Sequence, residues 1–161
     1  MQQLLKAIKQ NFIGAFYISL FSTIVFFDRL TKWYVFTCQM TKKIITPWLS
    51  VDLVFNRGIA WSFFYTKSNF WFLVLSLVIT LILVALMRVT ISLWQQEKLL
   101  LGHTLMLAGG MSNLIDRSLY GAIVDFISIH YSDWYFPVFN VADIAIVIGA
   151  GICFYSNFIK R

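Results

Sequence analysis

Four long runs without Asp, Glu, Lys or Arg most constrain what this chain can fold into. They cover residues 10–27, 68–87, 99–115 and 144–159, which are 18, 20, 17 and 16 residues long. At about 1.5 Å of rise per helical residue, each run approaches the length that crosses a bilayer. Hydrophobic residues make up 60% of the chain and charged residues 12%, unlike a typical soluble domain. The pattern predicts an all-α integral membrane protein with four transmembrane helices.

The first run could also be a cleaved signal peptide, because Lys6 and Lys9 precede it. It ends in the sequence FFDR, which lacks the small residues of a cleavage site. Cys38 follows VFT, so the small residues that precede the cysteine of a lipoprotein are also missing. We therefore expect the run to remain as the first helix. Because the sequence contains no repeats and no linker, we expect residues 1–161 to form a single domain.

The charges sort unevenly between the two sides that four crossings would create. Both termini would share one side with the 88–98 segment, and all six aspartates would lie on the other. The terminal side places six Lys and Arg residues in short segments, where the positive-inside bias operates. This favours cytoplasmic termini. The net charge of +6 includes no basic cluster with interleaved aromatic residues, so nucleic acid is not an expected partner.

The segment between the first two helices contains an alternation typical of a strand. In residues 49–56, apolar side chains alternate with polar ones except at Val54. Pro47 precedes this stretch and Gly58 follows it, as expected for turns. The other external segment, residues 116–143, has an aromatic density typical of the membrane interface.

Several polar residues are candidates for a site, although each also has a structural interpretation. Asp28 and Lys32 are four residues apart on one helical face and could form only a salt bridge. Asn56 precedes a glycine and could be a turn residue. The third helix ends in polar and charged residues that could simply be solvated, namely Asn113, Asp116 and Arg117.

Asp125 and Asp143 are the strongest candidates, because apolar residues flank each of them on both sides. A carboxyl group near hydrocarbon has a raised pKa, and two adjacent carboxyl groups share one proton. That state suits an aspartic protease, in which one carboxylate activates water while the other acid donates a proton. The same flanks also suit a proton-relay carrier. Two histidines on opposite sides supply no set of three metal ligands, so neither a metal nor another cofactor is expected.

Four ordered motifs resemble the signature boxes of the lipoprotein signal peptidase family, also called signal peptidase II. They are FFDRLTK, FNRGIAWSFF, GGMSNLIDRSLYGAIVDFI and FPVFNVADIAI. The resemblance implies an aspartic endopeptidase that removes signal peptides from diacylglyceryl-modified bacterial prolipoproteins, cleaving just before the lipidated cysteine. It implies that Asp125 and Asp143 are catalytic. It also implies that the substrate-binding and supporting residues are Asn56, Gly58, Asn113, Asp116, Arg117, Asn140, Asp28 and Lys32.

The resemblance further implies a small extracytoplasmic β-cradle between helices one and two, around residues 49–64. The enzyme would be a multi-pass protein of the bacterial cytoplasmic (inner) membrane, with its active site near the outer leaflet. Its partners would be prolipoprotein substrates and membrane phospholipid, and it would be monomeric. A small proton-coupled carrier and a membrane assembly protein remain as alternative functions.

Three departures from the family pattern affect the surroundings of the expected site. Ile59, Ala60 and Trp61 stand where two alanines and a phenylalanine are frequent, Ile144 follows the last aspartate where serine is common, and Ser112 replaces a frequent glycine. No ionisable group is lost. These changes therefore concern substrate preference rather than chemistry.

Overall fold

The computed structural model describes residues 2–38, 40, 42–59, 64–132 and 134–159. Within these residues, four helices and a small antiparallel sheet follow one another along the chain. The order is α1 (Gln2–Thr37), β1 (Lys43–Thr46), β2 (Leu49–Asn56), α2 (Asn69–Gln95), α3 (Leu101–Tyr120), β3 (Ile123–Tyr131), β4 (Trp134–Tyr135) and α4 (Val141–Ile159). All four helices extend beyond the charge-free runs, and α2 includes part of the predicted 88–98 loop.

Helix α3 is the centre of the bundle and contacts each of the other three helices. Ten of its twenty residues are buried, including four polar or charged side chains near its end: Ser112, Asn113, Asp116 and Arg117. In contrast, only Phe72 and Thr90 are buried in α2, whose large apolar side chains point outward. An apolar helix with an exposed surface of this kind is suited to contact lipid.

Two helices of the described chain are long and apolar enough to cross a membrane. They are residues Ile8–Thr37 and Asn69–Gln95, and Val141–Ser156 is a shorter apolar helix. The prediction of four transmembrane helices is thus supported by length and composition for two of them. Helix α3 differs because its polar residues lower its hydropathy while being buried against neighbouring helices.

The helices are arranged so that successive helices run in opposite directions. Lys6 of α1 forms a 2.6 Å salt bridge with Glu97, which follows α2. A Cβ atom added to Gly102 of α3 would lie 2.6 Å from the carbonyl oxygen of Gly149 in α4, so the two backbones nearly touch. These contacts bring together the start of α1, the end of α2, the start of α3 and the middle of α4, away from the sheet. The sheet lies at the opposite end of the bundle.

The sheet is larger than the sequence predicts. The predicted strand at residues 49–56 is confirmed as β2, but the strand order β1-β2-β3-β4 draws two strands from the segment after α3. The prediction of a cradle confined between helices one and two was therefore incomplete. The sequence alone also suggests that Asp125 lies at the external end of the third helix, and this expectation is wrong, because the residue lies on β3, opposite Val54 of β2. The nine-residue strand β3 pairs with β2 along most of the length of β2, which a helix end could not do.

Candidate active site

Asp125 is held between two asparagine side chains. Its Oδ2 atom accepts a 3.0 Å hydrogen bond from Nδ2 of Asn56, and Oδ1 accepts a 2.7 Å bond from Nδ2 of Asn140. The residue is 1% exposed. Burial, followed by the nearby negative charge of Asp143, raises the pKa of Asp125 to about 7, although the two asparagine hydrogen bonds oppose this shift. This carboxyl group therefore holds a proton over a large part of the range below neutral pH.

Asp143 lies in the first turn of α4, and its position follows from how that helix begins. The backbone N–H of Asp143 donates a 2.9 Å hydrogen bond to Oδ1 of Asn140, which caps the helix. Its Oδ1 atom accepts a 2.8 Å bond from Nδ2 of Asn113. Among the described residues Oδ2 has no hydrogen-bond partner, so it is available to a water molecule or to a substrate.

Asn113 and Asn140 connect the two aspartates to each other and to a buried cation. Nδ2 of Asn140 lies 3.1 Å from Oδ1 of Asn113, and that same oxygen accepts a 3.0 Å hydrogen bond from Nζ of Lys32. Both asparagines are buried. Because each amide offers a donor and an acceptor side, its orientation is fixed by partners on both sides.

Lys32 belongs to a compact group of buried charges behind the aspartate pair. Its Nζ atom lies 2.7 Å from Oδ2 of Asp28 and 2.7 Å from Oδ2 of Asp116, so with Asn113 it has three acceptors for three protons. The predicted pairing of Asp28 with Lys32 is confirmed. Arg29 adds a second cation, since its Nη2 atom lies 2.6 Å from Oδ1 of Asp116. Two cations and two carboxylates balance in charge, as a buried cluster requires.

This charge cluster also fixes backbone groups around the aspartate pair. Oδ1 of Asp28 accepts a 2.9 Å hydrogen bond from the N–H of Ala142, in the first turn of α4. Oδ2 of Asp116 accepts a 3.1 Å bond from the N–H of Val124, next to Asp125. Asp125 and Asp143 thus each follow directly after a residue whose backbone N–H donates to a buried aspartate.

The loop after β2 closes one side of the site. Oδ1 of Asn56 accepts a 2.8 Å hydrogen bond from the N–H of Gly58, and its Nδ2 donates to the carbonyl of Ile59 at 2.9 Å. Nη2 of Arg117 donates to the carbonyl of Gly58. Asn56 is therefore a turn residue and also a hydrogen-bond partner of Asp125. The structural interpretation and the site interpretation of this residue both apply.

All ten residues that the sequence predicts for the site lie at this end of the bundle. Hydrogen bonds and ion pairs join them into one network. Ala60 and Trp61 lie outside the described residues, so the expectations about them stay predictions.

Arg29 and Ser112 also belong to the network, although the sequence alone does not predict them there. Oγ of Ser112 donates a 2.6 Å hydrogen bond to Oδ2 of Asp28 and accepts a 3.0 Å bond from Nε of Arg29. A signal was present, because Ser112 is four residues before Asp116 and therefore lies on the same helical face. Arg29 had no comparable signal, since a cation beside Asp28 at a helix end is usually solvated.

The arrangement can perform acid–base chemistry with two carboxyl groups. Asp125 is buried with a raised pKa, and Asp143 keeps one oxygen free of partners in the described chain. No three His, Cys, Asp or Glu side chains of the described residues are grouped so as to hold a metal ion.

Comparison with known proteins identifies the family to which this chain belongs. The model of the Signal peptidase (SPase) II family matches residues 20–159. The lipoprotein signal peptidase of Blochmanniella pennsylvanica is 35% identical over 159 residues, which cover 95% of this chain and 96% of that protein. The lipoprotein signal peptidase of Buchnera aphidicola subsp. Acyrthosiphon pisum is 41% identical over 133 residues, which cover 81% of each chain.

Two solved structures are similar in fold, and both are described as bacterial membrane enzymes. One, at 2.3 Å resolution, has a TM-score of 0.72 and 28% identity and covers 92% of this chain and 90% of its own. The other, at 1.9 Å resolution, has a TM-score of 0.68 and 30% identity and covers 90% of this chain and 93% of its own. The chain therefore belongs to the signal peptidase II family, the proteases that remove signal peptides from lipoproteins.

Proposed function

We propose that the chain is an aspartic endopeptidase in which Asp125 and Asp143 perform the cleavage. The observation that carries this proposal is a pair of buried carboxyl groups joined through Asn140, which bonds the carboxylate of Asp125 and the backbone N–H of Asp143. Two close carboxyl groups in a poorly solvated site share a proton and can act as base and acid together.

The raised pKa of Asp125 supports its assignment as the protonated member of the pair. Asp143, with Oδ2 unpartnered among the described residues, is then the base that removes a proton from water. The water oxygen attacks the scissile carbonyl carbon, and Asp125 donates its proton to the carbonyl oxygen. When the C–N bond breaks, the proton taken up by Asp143 passes to the leaving amine, and one hydroxyl of the gem-diol intermediate returns its proton to Asp125. Asp125 is then protonated and Asp143 ionised again, so the pair is ready for a new water molecule.

The surrounding polar residues would position the substrate and support the pair. Asn56, Gly58, Asn113, Arg117 and Asn140 line or border the carboxyl groups, and we assign them to contacts with the substrate backbone. The buried group of Asp28, Lys32 and Asp116 fixes the backbone beside each catalytic residue, which is a supporting role.

The substrate would be a diacylglyceryl-modified prolipoprotein, cleaved just before the lipidated cysteine. The exposed apolar surfaces of α1 and α2 favour a bilayer setting. We propose four membrane crossings with cytoplasmic termini in the bacterial inner membrane, which would put the sheet and the aspartates near the outer leaflet. There, lipid holds the acyl chains of the substrate, and the protein has only to orient the peptide bond. A monomer suffices, because this one chain supplies both carboxyl groups.

The first test is substitution of each catalytic candidate by asparagine. Asp125→Asn and Asp143→Asn should each lower cleavage of a lipidated substrate by at least about a thousandfold, because an amide can serve neither as base nor as proton donor. Asp52→Asn is the matched control. Asp52 lies on β2 in the same sheet, outside the network, and should retain cleavage close to wild type. Near wild-type cleavage by purified Asp143→Asn would refute the aspartic mechanism.

A further inference from the structure

Phe72, in the first turn of α2, lies beside two guanidinium groups. The carbon centre of the Arg57 guanidinium is 4.9 Å from the centroid of the Phe72 ring, and that of Arg117 is 5.5 Å from it. The phenylalanine is 6% exposed, although it lies on a helix with almost no other buried side chain. Both cations are within the range in which the electron-rich face of an aromatic ring attracts them. The ring thereby offsets part of the repulsion between two like charges.

Arg57 connects this ring to the loop that borders the catalytic candidates. Its Nη1 donates a 3.2 Å hydrogen bond to the carbonyl of Lys67, and its Nη2 donates a 2.7 Å bond to Oδ1 of Asn69. Lys67 lies two residues before α2, and Asn69 is its first residue. Because Arg57 follows Asn56 directly, the beginning of α2 is fixed to the loop that contains Gly58.

Both arginines keep a buried donor without a hydrogen-bond partner among the described residues, namely Nε of Arg57 and Nη1 of Arg117. Arg117 is the more deeply buried of the two. It is 5% exposed, and its Nη2 atom donates to the carbonyl of Gly58. Its Nη1 atom is buried and has no hydrogen-bond partner among the described residues. A buried cationic donor without an acceptor is costly, so such a donor calls for an explanation. An acceptor brought by a bound molecule would supply one.

We propose that Phe72 and Arg57 are positioning residues that hold Arg117 so that its Nη1 atom donates to a backbone carbonyl oxygen of the substrate peptide. The inference rests on the proposed function, since it assumes that a peptide is bound beside Asp125 and Asp143. The ring of Phe72 restricts the movement of the Arg117 guanidinium on one face, and the carbonyl of Gly58 holds Nη2 by a hydrogen bond. Nη1 is then the donor left to meet the peptide. The start of α2 is thereby made part of the substrate site, although it contributes no polar side chain to the aspartate network.

The test compares two substitutions of the same ring. Phe72→Leu keeps an apolar side chain but removes the aromatic face, and we expect kcat/KM on a lipidated prolipopeptide to fall about tenfold. Phe72→Tyr keeps the face and should remain within about twofold of wild type. Phe70→Leu is the matched control, because Phe70 is an exposed aromatic residue of the same helical turn and should leave kcat/KM unchanged. Equal losses in Phe72→Leu and Phe72→Tyr would show that the ring only fills space, and would overturn the proposal.

Arg57→Gln provides a second test, in which the buried ring of Phe72 is left unchanged. We expect this variant to lower kcat/KM severalfold with an unchanged thermal unfolding midpoint. The double variant with Phe72→Leu should be no more than slightly worse than Phe72→Leu alone, because both residues act through Arg117. If Phe72→Leu fails to fold, wild-type kcat/KM in Arg57→Gln would by itself overturn the proposal. The proposed function is tested separately, and it fails if Asp125→Asn or Asp143→Asn still cleaves at the wild-type rate.

Discussion

At the scale of single residues, Asn140 links the start of α4 to the aspartate pair. Its oxygen caps α4 by accepting the N–H of Asp143, while its amide nitrogen donates to Asp125. One residue therefore fixes the backbone beneath one carboxyl group and a hydrogen bond to the other. Because the cap contributes to helix stability, the geometry of the aspartate pair is coupled to the folding of α4.

The raised pKa of Asp125 makes a prediction about stability. Its ordinary pKa is 3.8 and its pKa in the folded protein is about 7. Between these values the folded chain holds a proton that the unfolded chain has released, so the free energy of unfolding falls as pH rises through this window. The full loss has an upper limit of about 4 kcal/mol, at 1.36 kcal/mol for each pH unit. Asp125→Asn should remove this contribution.

Thermal unfolding in detergent between pH 4 and pH 8 measures the effect. Relative to wild type, Asp125→Asn should become progressively more stable as pH rises, and it should be the more stable protein at pH 8. Asp52→Asn should keep the wild-type pH dependence. A constant difference between wild type and Asp125→Asn across the range would mean that the burial of this carboxyl group does not raise its pKa.

At the scale of elements, the close crossing of α3 and α4 sets the position of Asp143. A Cβ atom added to Gly109 of α3 would collide with the carbonyl of Ala142 and lie 2.8 Å from Cγ1 of Ile146. Ala142 directly precedes Asp143 and donates its N–H to Asp28. Glycine at this position therefore allows the approach that brings the first turn of α4 to Asn113.

Gly109→Ala should reduce both stability and cleavage. The added methyl group must push α4 away, at a cost of about 1–3 kcal/mol, and the displaced carboxyl group of Asp143 should lower kcat/KM. Gly151→Ala is the control, because a Cβ atom there meets nothing within 4 Å. That variant should be neutral or slightly more stable, as alanine favours a helix. Wild-type kcat/KM in Gly109→Ala would contradict a rigid coupling between the crossing and the site.

The elements also show which parts of the fold could be predicted from sequence. Strand β2 was predictable, because a strand with a polar and an apolar face alternates along its length. Strand β3 was not, since Ile123–Tyr131 lies mostly inside the sheet and its first half is a nearly continuous apolar run. Such a run does not distinguish a strand from the end of a helix. The β-branched residues between Gly121 and Ser132 were the one available signal.

More of the candidate site than of the sheet could be predicted, because charged and amide residues are unusual in an apolar chain. Asp125 and Asp143 could be recognised because apolar residues flank each of them. Asp28 and Lys32 could be recognised because their spacing of four residues places them on one helical face. The contribution of Phe72 could not be predicted. Phe72 is one apolar residue among many in α2 and has no distinguishing signal until Arg57 and Arg117 are placed beside it.

At the scale of the whole molecule, the polar network and the apolar surface divide the protein into two regions. The sheet end holds the buried carboxylates and their cations, whereas α1 and α2 expose large apolar side chains along much of their length. A substrate with acyl chains and a peptide bond requires both regions at once. The lipid anchor would keep the cysteine at the depth of the site, and each buried methylene contributes about 0.8 kcal/mol to that anchoring.

The most direct measurement compares purified enzyme on two substrates with the same peptide sequence, one with a diacylglyceryl cysteine and one with an unmodified cysteine. Asp125→Asn serves as the blank for both. We predict cleavage of the lipidated substrate at the bond before the cysteine, and little or none of the unmodified substrate, although the peptide bonds are chemically equivalent. Equal cleavage of both substrates would contradict the lipid requirement. Cleavage of either one by Asp125→Asn at the wild-type rate would contradict the role of the aspartate pair.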